Sequence, residues 1–389
     1  MPHIVVSGAL ANKPLHGGEA WVRLSWIQGL KKLGFQVYFV EQIARETCVD
    51  ARGTVVPFGD SVNLAYFREV VEQFGLSDSA ALIYDNGEQF GEQLYGLREQ
   101  ELFELAESAA LLVNISGHLT WPPLMERLRL KAYIDIDPGF TQFWHAEGNP
   151  GAHLAGHDYF FTIGENIGQP GCTIPTGGIP WRAIRQPVVL EDWPVTDCVP
   201  PRRFTTIASW RGPFGTVTYA GRTFGLKVHE FRKFVELPER SDQVFEIALN
   251  IHPADHKDLN SLLSHGWQIV DPGTVARDPA AFRHYIQGSG AEFSVAQGIY
   301  VDTDSGWFSD RSVRYLASGK PVLVQDTGFS RQLPVGEGLV PFRSLDEAAA
   351  GAERIAGDYD RHCRAARALA EQYFDSDRVL GRMLEQVGI

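Results

Sequence analysis

Short apolar runs rich in Val, Ile and Phe recur along the chain, separated by longer stretches in which apolar residues return every third or fourth position. Residues 4–6, 37–40, 110–115, 132–136 and 159–163 form one series, and 204–208, 245–251, 268–270, 292–296 and 321–324 form a second. A run that is apolar at consecutive positions is what a parallel strand covered by helices on both faces requires. The interleaved 3.6-residue period marks the helices. Residues 17–34 show the unit: Trp21, Leu24, Ile27, Leu30 and Leu33 fall at helical spacing, Gly34 supplies a stop, and a strand follows. In the second half the same reading predicts helices near 227–235, 279–287, 310–317 and 345–355.

Between the two series lies a proline-studded stretch with little periodicity, residues 187–203. It divides the chain into a first domain at 1–186 and a second at 204–358. Residues 359–389 read as two helices, broken around Phe374-Asp375-Ser376-Asp377 and expected to cross back to the first domain. The predicted fold is therefore α/β, with two Rossmann-like domains facing across a cleft. A length of 389 residues fits two domains better than one.

Charge and cysteines narrow the function. With 48 acidic residues against 35 basic, the net charge of −13 weighs against a general grip on nucleic-acid phosphates. Cys48, Cys172, Cys198 and Cys363 lie far apart and form no CxxC or Cys/His pair, so no metal site and no disulfide framework is expected. Reduced thiols fit a cytoplasmic protein. The opening MPHIVVSGAL has no cationic segment ahead of its apolar run and reads as a buried strand, not a signal peptide. No stretch reaches the ~18–20 apolar residues of a membrane span.

In open parallel sheets ligands gather at the carboxyl ends of the strands, so the loops that follow each strand are the places to look for chemistry. After the first strand comes Leu15-His16-Gly17-Gly18-Glu19. Gly17 and Gly18 either let a backbone approach a phosphate at the helix start or serve a turn; His16 is either a general base or a solvated loop side chain. In the second half, Trp307, Phe308, Ser309, Asp310, Arg311 and Ser312 run from a Gly-aromatic loop into a helix that ends at Gly319. Ser309 or Asp310 suits an N-cap. Free amides there would face a diphosphate, and Arg311 in the first turn, unfavourable beside a bare helix start, would be explained by an anion. The competing reading is a surface Asp310–Arg314 pair at i, i+4, worth a few tenths of a kcal/mol.

The segment GWFSDRSVRYLASGKPVLVQDTGF followed by EGLVPF resembles the donor-binding segment of GT-B glycosyltransferases, in particular the bacterial group-1 kind. HGGEAWVRLSWIQGLKKLGFQV is similar to the first βαβ unit of that family. The resemblance spans most of the chain and implies a nucleotide sugar, UDP- or dTDP-linked, as co-substrate with no other cofactor and no metal. It implies donor contacts from Gly17 and Gly18, from Trp307 to Ser312, and from Asp326, Thr327 and Gly328 near the sugar. It also implies a pyrophosphate clamp: Arg222 and Lys227 reproduce the family's G-R-x4-K spacing, while Arg211 lies closer to the strand, so that either arginine could serve. One departure stands out. Retaining members carry two glutamates eight residues apart; alignment on Gly319-Lys320-Pro321 puts Gly306 and Arg314 there, and an acidic pair of equal separation, Asp302 and Asp310, is offset by four.

Loops of the first domain are expected to face the acceptor. Asp137 is the first choice for the base that takes a proton from an acceptor hydroxyl, ahead of His16 and His118; the alternative for Asp137-Pro138-Gly139 is a turn closed by its own side chain. Glu165 and Asn166 are candidates for hydrogen bonds to the acceptor. The expected activity is transfer of a sugar from a nucleoside diphosphate to a hydroxyl. The rivals are a nucleotide-sugar 2-epimerase of the same fold and a non-catalytic nucleotide-sugar-binding protein. Neither the acceptor nor an oligomeric state is legible.

Overall fold

The structure, a computed structural model, describes residues 2–87, 90–197, 203–212 and 214–389. Two parallel sheets organise it. In the first half the strands are β1 (His3–Ser7), β2 (Gln36–Ala44), β3 (Ala80–Asp85), β4 (Phe90–Gly96), β5 (Ala109–Ile115), β6 (Lys131–Asp135), β7 (Tyr159–Thr162) and β8 (Arg182–Ala183). They pair in the order β4-β3-β2-β1-β5-β6-β7-β8, all parallel except the β3–β4 edge. The second half contributes β9 (Arg203–Ser209), the hairpin of β10 (Val217–Tyr219) and β11 (Arg222–Phe224), β12 (Val244–Asn250), β13 (Gln268–Val270), β14 (Ala291–Ser294), β15 (Val322–Gln325) and β16 (Leu339–Phe342). Its main sheet runs β13-β12-β9-β14-β15-β16, parallel throughout.

Both orders reverse direction beside their first strand, between β1 and β5 and between β9 and β14. This is the doubly wound Rossmann arrangement, and it opens a crevice beyond the carboxyl ends of the strands flanking each reversal. The predicted α/β fold of two Rossmann-like domains is thus the one observed.

The apolar runs explain the sheets. β5 and β6 are buried on both faces because helices cover both. The helix Gly17–Lys32 is buried almost all round, from Ala20 to Leu30. It packs on β1 and β2, on the helix Pro279–Gln287 of the second lobe, and on the last helix, Ser376–Val387. A helix with three neighbours has little use for a polar face. Gly34 ends it with φ +90°.

The C-terminal helices return to the first lobe. Tyr359–Tyr373 packs on the helix Asp310–Ala317. Asp375 then caps the final helix, its carboxylate accepting from the Asp377 N–H at 3.1 Å. That helix lies so close to the first one that a Cβ on Gly29 would sit 2.6 Å from Leu380 Cδ1. Of the expected linker, 198–202 lie outside the described residues; Trp193 is fully buried, with its ring 5.0 Å from Trp21 and 6.3 Å from Phe282. One apolar core runs through these three aromatics from lobe to lobe. No helix of the described residues is long and apolar enough to cross a membrane.

Candidate functional site

Residues that follow β1, β5 and β6 in the first lobe and β9, β12, β13 and β14 in the second line three adjoining cavities of about 450, 380 and 370 Å³. The largest runs from His16 and Gly18 at the start of the first helix to Asn250, Asp271 and Gly273 at strand ends of the second lobe, with Arg311 beside them. The second lies mainly in the first lobe, among His118, Asp137, Trp144 and His153, and is closed by Tyr300 and Trp307 of the other lobe. The third extends the largest toward Trp210, Arg211 and His252. Of the expected residues, His16, Gly18, His118, Asp137, Arg211, Lys227, Trp307, Asp310 and Arg311 fall around this one cleft, although several of their side chains do something other than the sequence implies.

The paired glycines are the first case. A Cβ on Gly17 would lie 2.1 Å from the Asp278 carbonyl oxygen, and one on Gly18 would lie 2.8 Å from the Phe282 ring. The Gly17 N–H donates to the Ala276 carbonyl at 2.8 Å. The close approach that demands glycine is therefore between the lobes, and one helix-start amide is already used in it. Gly18 still lines the largest cavity.

The cations divide in the same way. Arg211 forks onto the Asp255 carboxylate at 2.8 and 2.5 Å. Arg222 stands on the β10–β11 hairpin, half exposed, 3.5 Å from Asp302 and over the Phe224 ring. Its G-R spacing has a local cause: Ala220 and Gly221 both have positive φ, the two-residue turn that a twisted hairpin prefers. Arg311 does line the cavity, yet its guanidinium is held by Glu292 at 2.7 Å, Ser294 Oγ at 2.7 Å and the Ile207 carbonyl at 2.8 Å. Part of the anion that explains an arginine at a helix start is the protein's own fully buried Glu292.

Lys227 differs from all three. It opens the helix Lys227–Phe231, lines both the first and second cavities, and makes no ion pair among the described residues. Burial, then the neighbouring Arg311 charge, push its ammonium down to about 7. The Glu292 and Asp310 charges oppose that shift without pairing with the ammonium, and burial prevails.

Asp310 also lines both cavities and pairs with Arg314 at 2.8 Å. This is the i, i+4 pair weighed above, but it is not on the surface: Arg314 is fully buried and reaches Ser25 Oγ of the first lobe at 3.3 Å. Asp302 and Asp310 thus serve separate ion pairs. Ser309 caps its helix, Oγ accepting from the Arg311 N–H at 3.3 Å. Ser312 is buried, and Phe308 lies in the core, stacked on Phe374. Trp307 remains at the cleft, stacked 4.5 Å from Tyr300.

In the second cavity the DIDPG loop separates two roles. Asp135 is fully buried and accepts from Thr141, Gln142, Thr162 and the Asp137 N–H. It fixes the loop. Asp137 projects into the cavity, where Tyr300 Oη of the second lobe donates to it at 3.4 Å. Burial, then the Asp135 and Glu19 charges, push its carboxyl up to about 7. That value suits a group that must accept a proton near neutrality. His118 shares the cavity, but burial and the Arg23 guanidinium press it down to about 3, so it is neutral at ordinary pH. His16 is likewise lowered, chiefly by burial, and lies at the first and third cavities.

Other candidates are engaged elsewhere. Glu165 forks onto Arg185 at 2.9 and 2.8 Å beside a separate 180 Å³ cavity against the last helix. Asn166 is buried, and its amide donates to the Asp304 and Gly328 carbonyls at 3.0 and 3.1 Å, tying one lobe to the other. Asp326 accepts from Gly328 N–H, Ser330 Oγ and Arg343, while Thr327 Oγ1 donates to the Trp307 carbonyl at 2.5 Å. These three residues brace the 304–308 loop from behind. Sequence reasoning passed over Lys13, Glu19, Arg23, Gln297 and Tyr300, which line the cleft. Glu19 and Arg23 face each other one helical turn apart, and that i, i+4 spacing was the available signal.

No protein-family model matches the chain, and no curated protein matches it. Solved structures do. An α-glucosyltransferase in complex with UDP and a 13-mer DNA containing an HMU base superposes with a TM-score of 0.61 at 11% identity, over 100% of both chains. HepE of Anabaena in complex with UDP-glucose superposes at 0.57 and 11% identity, over 100% of this chain and 99% of that one. A putative UDP-N-acetylglucosamine 2-epimerase from Listeria monocytogenes follows at 0.50 and 12% identity, over 99% and 95%. The full-length likeness shows the fold: this chain has the GT-B architecture.

Proposed function

We propose that the protein transfers a sugar from a UDP-linked donor to a hydroxyl acceptor. The observation that carries the reading is Lys227, a half-buried ammonium with no ion-pair partner among the described residues, beside Arg311, where the nucleotide-side cavity meets the second one. A diphosphate supplies the missing partner. UDP bound by the similar structures supports that choice of anion, with a dTDP sugar as the other donor to be tried.

On this reading the base and ribose lie toward Asn250 and Asp271-Pro272-Gly273, the diphosphate lies at Lys227 and Arg311, and the acceptor occupies the second cavity. Asp137 takes the proton from the acceptor hydroxyl as its oxygen bonds to the anomeric carbon. The carbon–oxygen bond to the diphosphate breaks, and its electron pair leaves with UDP. Lys227 and Arg311 stabilise that charge, the kind of fixed electrostatic help that matters most in such steps. A base in place contributes ~10²–10⁴ in rate.

The second cavity favours transfer over epimerisation. At about 380 Å³ and lined by Tyr133, Trp144 and Trp307, it gives an acceptor a place that an epimerase does not need. The test is a thermal-shift series with UDP, dTDP and their sugars, since a ligand at 100 times its Kd adds ~2.7 kcal/mol of stability. Incubation with donor alone follows. Stabilisation by UDP without change of the sugar supports the transferase; a new sugar formed with no acceptor present makes it an epimerase, and the absence of any nucleotide effect refutes both.

A further inference from the structure

Where the nucleotide-side cavity opens into the acceptor cavity, five residues line both: Glu19 and Val22 from the first lobe, Lys227, Gln297 and Asp310 from the second. Glu19 faces Arg23, Asp310 faces Arg314, and Lys227 faces the position assigned to the diphosphate. Gln297 is the one polar side chain at the junction without a task.

Its backbone is fixed and its amide is not. The Gln297 carbonyl accepts from the Tyr300 and Val301 N–H groups at 3.0 and 3.2 Å, which sets the residue at the head of the helix Gly298–Asp302. The residue is only 9% exposed, and Oε1 is buried with no hydrogen-bond partner among the described residues. Gly212 passes it closely: a Cβ there would lie 3.6 and 3.7 Å from Oε1 and Nε2. With no side chain at that position, the space before the amide stays open to the cavity both residues line.

A buried carboxamide oxygen left unpaired is costly, and native proteins rarely tolerate one without a reason. Its natural partner is a donor, and a sugar hydroxyl supplies one.

We propose that Gln297 recognises a hydroxyl of the transferred sugar through its carboxamide. The inference rests on the nucleotide-sugar reading above. It makes Gln297 a specificity-determining residue for that sugar.

Calorimetric titration of the full chain, of Gln297→Ala and of the near-isosteric Gln297→Met with UDP, UDP-glucose and UDP-galactose tests it. Both variants are expected to keep UDP affinity within about twofold and to weaken the preferred UDP-hexose about tenfold, the scale of one lost hydrogen bond. The inference is overturned if UDP binds normally while Gln297→Met holds the hexose as well as the original. Failure of the unsubstituted chain to bind UDP at all would instead remove the nucleotide-sugar reading, and this inference with it.

Discussion

Lys227 offers the sharpest test of the diphosphate site, because its charge is poised to change on binding. Burial and the Arg311 charge hold it at about 7 against an ordinary 10.5. A diphosphate restores the counter-charge, so binding draws a proton onto every lysine that is neutral beforehand. The protonated fraction of a group at about 7 is roughly 24% at pH 7.5 and roughly 3% at pH 8.5, so UDP affinity should fall about eightfold between them. The nucleotide does not contribute to this slope, since a terminal phosphate loses its last proton near pH ~6. Lys227→Met removes the slope and, with it, a charge-assisted hydrogen bond worth about 1.5–3 kcal/mol, a tenfold to hundredfold weakening at pH 7. Folding moves the other way: between about 7 and 10.5 the unfolded chain holds the proton that the folded one has released. The lysine's contribution to stability therefore rises with pH across that window, and the methionine variant lacks the rise. Titration calorimetry from pH 6.5 to 8.5 in Mops and in Tris gives both affinity and proton uptake. A pH-independent affinity, or a methionine variant that binds UDP as tightly as the original, refutes the site.

Three further outcomes follow from the same geometry. Asp137→Asn should abolish transfer and yet stabilise the fold: with its carboxyl at about 7 instead of 3.8, the folded chain keeps a proton the unfolded one loses, so ionisation costs stability as pH climbs through that window. The variant's advantage should grow to about 4 kcal/mol by pH 8 and shrink toward pH 4, as thermal melts would show. Arg222→Ala should change UDP affinity by less than about twofold, because its partners are the exposed Asp302 and the Phe224 ring, and exposed pairs are worth ~0–1 kcal/mol; a tenfold loss in the same titration would return it to the clamp. Gly17→Ala should destabilise the protein by about 1–3 kcal/mol or more in urea unfolding, since its Cβ would meet the Asp278 carbonyl at 2.1 Å and backbone cannot yield as a side chain can.

Much of the fold was readable because it rests on strong periodic signals. The helices Pro279–Gln287 and Asp310–Ala317 lie where spacing and caps put them, and the strands of the second sheet through β15 coincide with the apolar runs. What escaped was β3, though it is an apolar run between two strands, together with β4, the helices Val62–Gln73 and Glu99–Ser108, and the β10–β11 hairpin, which lie in mixed stretches with weaker periodic signals. β16 is apolar too, but only four residues long and at a sheet edge.

The site was legible as a set of loops and much less so as a set of side chains. Topology alone brings the loops after β1, β6, β9 and β14 together, so His16, Asp137, Lys227 and Arg311 meet at the cleft. Which way each side chain turns depends on partners distant in sequence: Asp255 claims Arg211, Arg185 claims Glu165, and Glu292 shares Arg311. Motif spacing carries no trace of such pairings, and the glycines show why. Gly17, Gly18 and Gly221 occupy phosphate-loop positions by spacing, yet the first two are small to admit the second lobe and the third to turn a hairpin. Spacing reports that a side chain is excluded, while only the neighbour reveals what excludes it. Lys227 and Gln297 stand out by the opposite test: among the described residues the lysine has no ion-pair partner and the glutamine Oε1 no hydrogen bond. A claimed cation completes the fold, whereas an unclaimed one awaits a ligand, and that difference decides which of these residues should matter for binding.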